Sequence, residues 1–219
     1  MKASLDTNVI IHLYRAGHKS IIFDRFKEGV YIYEQIRYVE LEHHGQDILD
    51  EIDHDIIEGR LQLITRERLR ESAVLKIFEE HVRVNRLLYS PGDMGEVYAI
   101  ALALTLGSLA LVTDDVKYGG PYHSLMRLNC NDIIPFNFID LLFLNYMEGI
   151  FSTEETIAIF NTINEVSNLN WSIESKLKCF IRRFWTSPYQ ETEREWMKEF
   201  CVTRDIRAKE KFGELHKKL

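Results

Sequence analysis

The stretch from Asp93 to Asp115 constrains this chain more than any other. Asp93 suits an N-cap, and Gly95 and Glu96 then fall in the first helical turn, where the helix dipole favours an acid. Ala99, Ile100, Ala103 and Leu104 follow at i, i+3, i+4 spacing, with small alanines that let a helix sit close to a sheet. Gly107 is the stop. Leu109 to Val112 is a short apolar run of the kind covered on both faces, and Asp114 and Asp115 stand at its end. A helix, a glycine and a buried strand tipped by acids predict an open parallel sheet, where ligands bind beyond the carboxyl ends of strands.

The rest of the chain fits that frame. Lys2 to Leu5 reads as a first strand with Asp6 at its tip. Thr7 and Asn8 are expected to cap a helix that ends at Gly17. A partial helix over 19–27 precedes the strand Val30 to Tyr33. Glu34 to His44 reads as helical and carries Glu40. His43 and His44 are adjacent, so they point apart and read as surface residues, not as a helical zinc pair. Asp47 to Glu58 reads as an amphipathic helix with Ile48, Leu49, Ile52, Ile56 and Ile57 inside. Leu61 to Ile64 is a third strand, Thr65 to Leu88 one long charged helix, and Tyr89 to Gly92 a turn. After Asp115 a glycine-containing loop runs to Pro121, and Ile133 to Phe136 is one more strand. From Asn137 onward the pattern is helical: 139–147, 153–166, 173–185 and 191–215. The alternation predicts an α/β domain over 1–136 and a helical C-terminal extension over 137–219.

Composition narrows the function classes. The chain has 219 residues and a net charge of −7, so it is not a generic basic nucleic-acid binder. The charge is uneven: residues 170–219 hold 12 Lys+Arg against 8 Asp+Glu. A basic tail beside an acidic body fits a polyanion-contacting surface, and equally a solvated helical tail. Three widely spaced cysteines without a CxxC suggest reduced thiols in a cytoplasmic protein. No run approaches the roughly 18 apolar residues of a membrane span, and a strand starting at Lys2 or Ala3 leaves no room for a signal peptide.

Asp6, Glu40, Glu96, Asp114 and Asp115 all fall near strand ends or helix starts, so they are expected to converge on one edge of the sheet. Crowded carboxylates repel and take up protons unless a cation neutralises them. Hard oxygen donors select Mg²⁺ or Mn²⁺ over zinc, and such ions support in-line displacement at phosphorus. The competing structural reading is that Asp6 only caps its helix. Aspartyl-phosphate chemistry wants a second acid two residues after the first, where this chain has Asn8.

Leu5-Asp6-Thr7-Asn8-Val9-Ile10, Val39-Glu40-Leu41, Gly95-Glu96 through Ala103, and Leu111-Val112-Thr113-Asp114-Asp115 together resemble the PIN domain, whose members include the VapC-type toxins of bacterial toxin–antitoxin pairs. The Gly95-Glu96 start resembles a subgroup with Glu where most members have Asp. Phe138 to Leu142 and Gly149 to Phe151 resemble that subgroup's closing helices. The resemblance covers about residues 1–160. It implies a PIN-like three-layer α/β fold, with a central parallel sheet flanked by helices, and an Mg²⁺- or Mn²⁺-dependent endoribonuclease. Asp6, Glu96 and one of Asp114 and Asp115 would be metal ligands, and Glu40 a ligand or its support. The family's Thr-x-Asp pattern favours Asp115 and puts the Thr113 hydroxyl near the site. Asn8 and Thr113 are expected to contact substrate, as are Arg182 and Arg183 in the basic, aromatic C-terminal helices. RNA is the implied substrate. A toxin or phage-defence role would add an antitoxin or inhibitor protein, and the C-terminal aromatic face suits a homodimer or that inhibitor. Two departures stand out: 47–88 and 170–219 are enlarged beyond a typical toxin, and the loop after Asp115 is glycine-rich. The alternative is a PIN fold without activity that binds RNA or protein.

Overall fold

The computed structural model describes residues 1–87, 89, 94–108, 110–117, 120–127 and 133–219. The expected cap Asp93, the turn residues Ser90 to Gly92, Leu109, Tyr118, Gly119 and Cys130 lie outside these residues. The chain divides into two compact units, Met1–Phe138 and Ile139–Leu219.

In the first unit, among the described residues, five strands form one parallel sheet: β1 (Ala3–Leu5), β2 (Val30–Tyr33), β3 (Gln62–Ile64), β4 (Ala110–Val112) and β5 (Ile134–Phe136). Their order is β3-β2-β1-β4-β5. β1 pairs on one side with β2 (Ala3 to Val30) and on the other with β4 (Ala3 to Ala110, Leu5 to Val112). β1, β2 and β4 are buried along their whole length, as apolar runs with no polar alternation require when helices cover both faces. From β1 the chain steps outward through β2 and β3, then returns to the other side of β1 with β4. The crevice between β1 and β4 is therefore the sheet's switch point, where such folds place ligands. The Asp6 N–H donates to Val112 O at 2.9 Å and the Thr113 N–H to Phe136 O at 2.8 Å. These bonds carry the ladders one residue past the strands and fix the start of each tip.

The helices of this unit are α1 (Thr7–Arg15), α2 (Ser20–Arg25), α3 (Gln46–Ile57), α4 (Arg66–Glu71), α5 (Leu75–Asn85), α6 (Met94–Leu106) and α7 (Pro121–Arg127). α6 packs on β1, β2 and β4 and against α5, and its Ala99, Ala101 and Ala103 are fully buried. Asp6, not Thr7 or Asn8, caps α1: its Oδ1 accepts the Thr7 N–H at 2.7 Å.

Three local expectations are corrected. The long helix over 65–88 is two helices. Ala73 has φ 59°, and the Ala73 and Val74 N–H groups donate to Arg70 O (2.9 Å) and Leu69 O (3.0 Å), a Schellman stop with alanine where glycine is usual. The helical run over 34–44 is a π-helical turn, Ile36–Glu40, followed by a 3₁₀ turn, Leu41–His43. In α3, Ile57 is 85% exposed and Asp55 is buried in its stead. Asp55 Oδ2 accepts the Tyr14 hydroxyl at 2.7 Å, with Lys19 Nζ at 3.0 Å and Arg60 Nη2 2.7 Å from Oδ1. α7 falls in a segment for which no helix was expected.

The second unit comprises α8 (Phe138–Met147, which begins on the last residue of the first unit), α9 (Thr153–Val166), α10 (Ile173–Ile181) with a π-helical turn over Arg182–Thr186, α11 (Glu191–Thr203) and α12 (Ala208–Lys218). α9 starts on a capping box of Ser152 and Glu155. The helix expected over 191–215 breaks at Asp205, φ 50°, through the same pair of stop bonds (Asp205 N–H to Val202 O, Ile206 N–H to Cys201 O). Phe143, Phe180, Phe184 and Phe212 form an edge-to-face cluster in this unit's core. No described helix is long and apolar enough to cross a membrane.

Candidate active site

Asp6 leaves β1 at the switch point. Its Oδ2 accepts the Thr113 hydroxyl at 2.7 Å, and the same Thr113 oxygen accepts the Asp115 N–H at 3.1 Å. The Thr113-x-Asp115 turn thus ties the tip of β4 to the tip of β1. Thr113 is fully buried; it orients Asp6 and Asp115 and has no surface to offer a substrate, which corrects its expected contact role.

Glu40 reaches the site from the π-helical turn, a distortion often found at functional positions. Its Oε2 accepts the Thr7 hydroxyl. Its carboxylate lies over Gly95, where a Cβ would overlap it. Gly95 is in the first turn of α6, so the carboxylate sits at the positive end of that helix. The glycine of the Gly95-Glu96 pair is therefore explained by the close approach of Glu40.

Asp6, Asn8, Glu40 and Glu96 line one cleft of about 430 Å³, with Val39 and His44 on its wall. Burial is the main reason that the Asp6 carboxyl is pushed up to about 7; the Glu40 and Asp115 charges add to the rise, and its bonds from Thr113 and Thr7 oppose it. Burial also raises Glu40, against its bond from Thr7. His44, expected at the surface, is half-buried in the cleft wall, and desolvation, then Arg15 and His43, lowers its pKa. Asn8 is exposed on the cleft.

The two aspartates after Thr113 diverge. Asp115 is clasped by its own loop: Lys117 Nζ lies 2.7 Å from Oδ2 and the Lys117 N–H donates to Oδ1 at 3.2 Å. Asp114 faces the other way. Its Oδ2 is 2.7 Å from His12 Nδ1 and its Oδ1 accepts the Phe138 N–H at 2.9 Å, with no exposed side-chain surface. Asp114 is a tether between α1 and the backbone at Phe138, turned away from the Asp115 side of the β4 tip. His12, on the same face of α1 as Asn8 one turn on, was not singled out from sequence because only the fold brings Asp114 to it.

Comparison with protein-family models, with curated proteins and with solved structures finds no match. The site is therefore read from its own chemistry. Its acidic donors are oxygen, the Glu40 and Asp115 charges bear on Asp6, and they lie beyond the carboxyl ends of the strands; carboxylate donors suit a hard divalent cation. Among the described residues no three His, Cys, Asp or Glu side chains are gathered closely enough to enclose an ion. The fit to Mg²⁺ or Mn²⁺ is one of donor type and placement, without a closed cage.

In the second unit Arg183 is 4% exposed, with Nη1 2.9 Å from Asp140 Oδ2 and Nη2 2.5 Å from Glu193 Oε1. Buried between two acids, it is a structural residue, which corrects its expected substrate contact. Arg182 is exposed on the same turn. Much of the tail's positive charge is matched within the unit, as in Lys178–Glu174, Arg204–Glu148 and Lys218–Glu154.

Proposed function

We propose that the first unit is a PIN-like, Mg²⁺- or Mn²⁺-dependent endoribonuclease. The observation that carries this reading is the convergence of Asp6, Glu40 and Glu96 on one cleft between the tips of β1 and β2 and the start of α6, with Asp6 raised to about 7 by burial and neighbouring acids. Such a cluster is poised to gain from a divalent charge. Asp6, Glu96 and Asp115 would hold the ion, and Glu40 would either join them or orient them. A bound ion of this kind supplies an activated water and charge stabilisation for in-line displacement at a phosphodiester. The chain's own part is to fix the donors. Thr113 and the Thr7 N–H orient Asp6, Thr7 and the α6 N-terminus hold Glu40, and Asn8 offers an exposed amide to the RNA beside them.

The test is cleavage of a labelled single-stranded RNA and of total RNA with Mn²⁺, Mg²⁺ or EDTA. The expected result is metal-dependent cutting that falls at least about 100-fold in Asp6→Asn and Glu96→Gln. No cutting of any substrate, with RNA binding equal in wild type and variants, would replace this reading with that of an inactive binding module.

A further inference from the structure

Lys117 holds a position that the proposed chemistry leaves unused. Asp115 has both carboxylate oxygens engaged by this one residue, Oδ1 by its backbone N–H and Oδ2 by its ammonium. The loop closes at once, the Gly120 N–H donating to Lys117 O at 3.0 Å. Gly120 backs the carboxylate so closely that a Cβ there would come 2.8 Å from Oδ1. Asp115 is thus a buried acid, while the Lys117 side chain is 58% exposed. A half-exposed ammonium on a flexible, hydrated stem is held weakly. A divalent cation bound by Asp115 would need the same carboxylate that the ammonium occupies.

We infer that Lys117 is a resident cation that competes with the divalent ion for Asp115. In the metal-free protein it neutralises Asp115; metal binding requires the ammonium to leave, so Lys117 sets the concentration at which the site loads. This rests on the proposal that Asp6 and Asp115 are metal ligands.

Calorimetric titration of the full chain with Mn²⁺ alone, without RNA, tests it. Wild type should bind, Asp6→Asn should lose that binding, Lys117→Gln should bind about three- to fivefold more tightly, and Lys117→Arg should stay near wild type. The gain in Lys117→Gln should persist in about 0.5 M KCl, where through-space charge effects are screened within about 4 Å. If wild type binds and Asp6→Asn does not, but Lys117→Gln binds equally or less well, or gains only at low salt, the competition is overturned and the metal site stands. If wild type takes up no Mn²⁺, or Asp6→Asn takes it up equally, the metal-site reading falls and this inference with it.

Discussion

Two groups of carboxylates, one in each unit, are treated oppositely. In the second unit Asp140 and Glu193 flank Arg183, whose guanidinium meets both. In the first unit, among the described residues, Asp6 and Glu40 accept hydrogen bonds from neutral donors, namely the Thr113 and Thr7 hydroxyls and the Thr7 N–H, and the Glu40 and Asp115 charges raise the cost of ionising Asp6. A buried acid beside an arginine is structural glue. A buried acid beside other acids stores a demand for positive charge. The contrast separates the candidate site from the many other acids of the chain without appeal to sequence likeness.

The largest effect should come from removing the cation of the paired group. Arg183→Met leaves two buried carboxylates uncompensated and should lower the stability of the second unit by about 3–5 kcal/mol. Urea unfolding followed by tryptophan fluorescence reads that unit alone, because Trp171, Trp185 and Trp196 all lie in it. A loss under about 1 kcal/mol would break the comparison.

Removing charge from the unpaired group should do the reverse. The Asp6 carboxyl titrates near 7 when folded, against 3.8 as its ordinary value. Its folded form therefore keeps a proton that the unfolded chain has released. The stability linked to that proton is present below about pH 4, declines as pH rises through 7, and is gone above. Asp6→Asn should stabilise the metal-free first unit by about 2–4 kcal/mol at pH 8 and by little at pH 4. Circular dichroism in urea across that range checks both the sign and the window.

Asp114→Ala tests the assignment of the second tip aspartate as a tether. It removes the bonds to the Phe138 N–H and the His12 ring, so metal-free stability should fall by about 1–3 kcal/mol at neutral pH, where Asp6→Asn gives a gain. The smallest effect is expected at Lys117. Lys117→Gln should shift metal-free stability by less than about 1 kcal/mol, because an exposed lysine does not do for Asp115 what Arg183 does for its partners. A loss as large as that in Arg183→Met would make Lys117 structural.

Much of this was legible in the chain. Short apolar runs at 3–5, 30–33 and 110–112 mark strands because both sheet faces are covered. Asp6 and Glu96 stand out as a strand-end acid and a helix-start acid. Helix stops are read from glycine, yet Ala73 and Asp205 adopt the left-handed turn, and their Schellman bonds leave no compositional mark. The start of α7 had a signal in Pro121, which suits a first helical position, but the glycines before it suggested only loop. His12 and His44 acquire their places from the fold, in His12's case through a partner 102 positions away. Arg183 looked like a phosphate contact because the pattern of the tail does not show that Asp140 and Glu193 close on it.

The most direct test of the central claim is a ¹³C NMR titration of the Asp6 carboxyl, metal-free and then with Mg²⁺. The account predicts a midpoint near 7 without metal and a fall of about two units or more when Mg²⁺ is added. A metal-free midpoint near 4, or one near 7 that Mg²⁺ leaves unmoved, would contradict it.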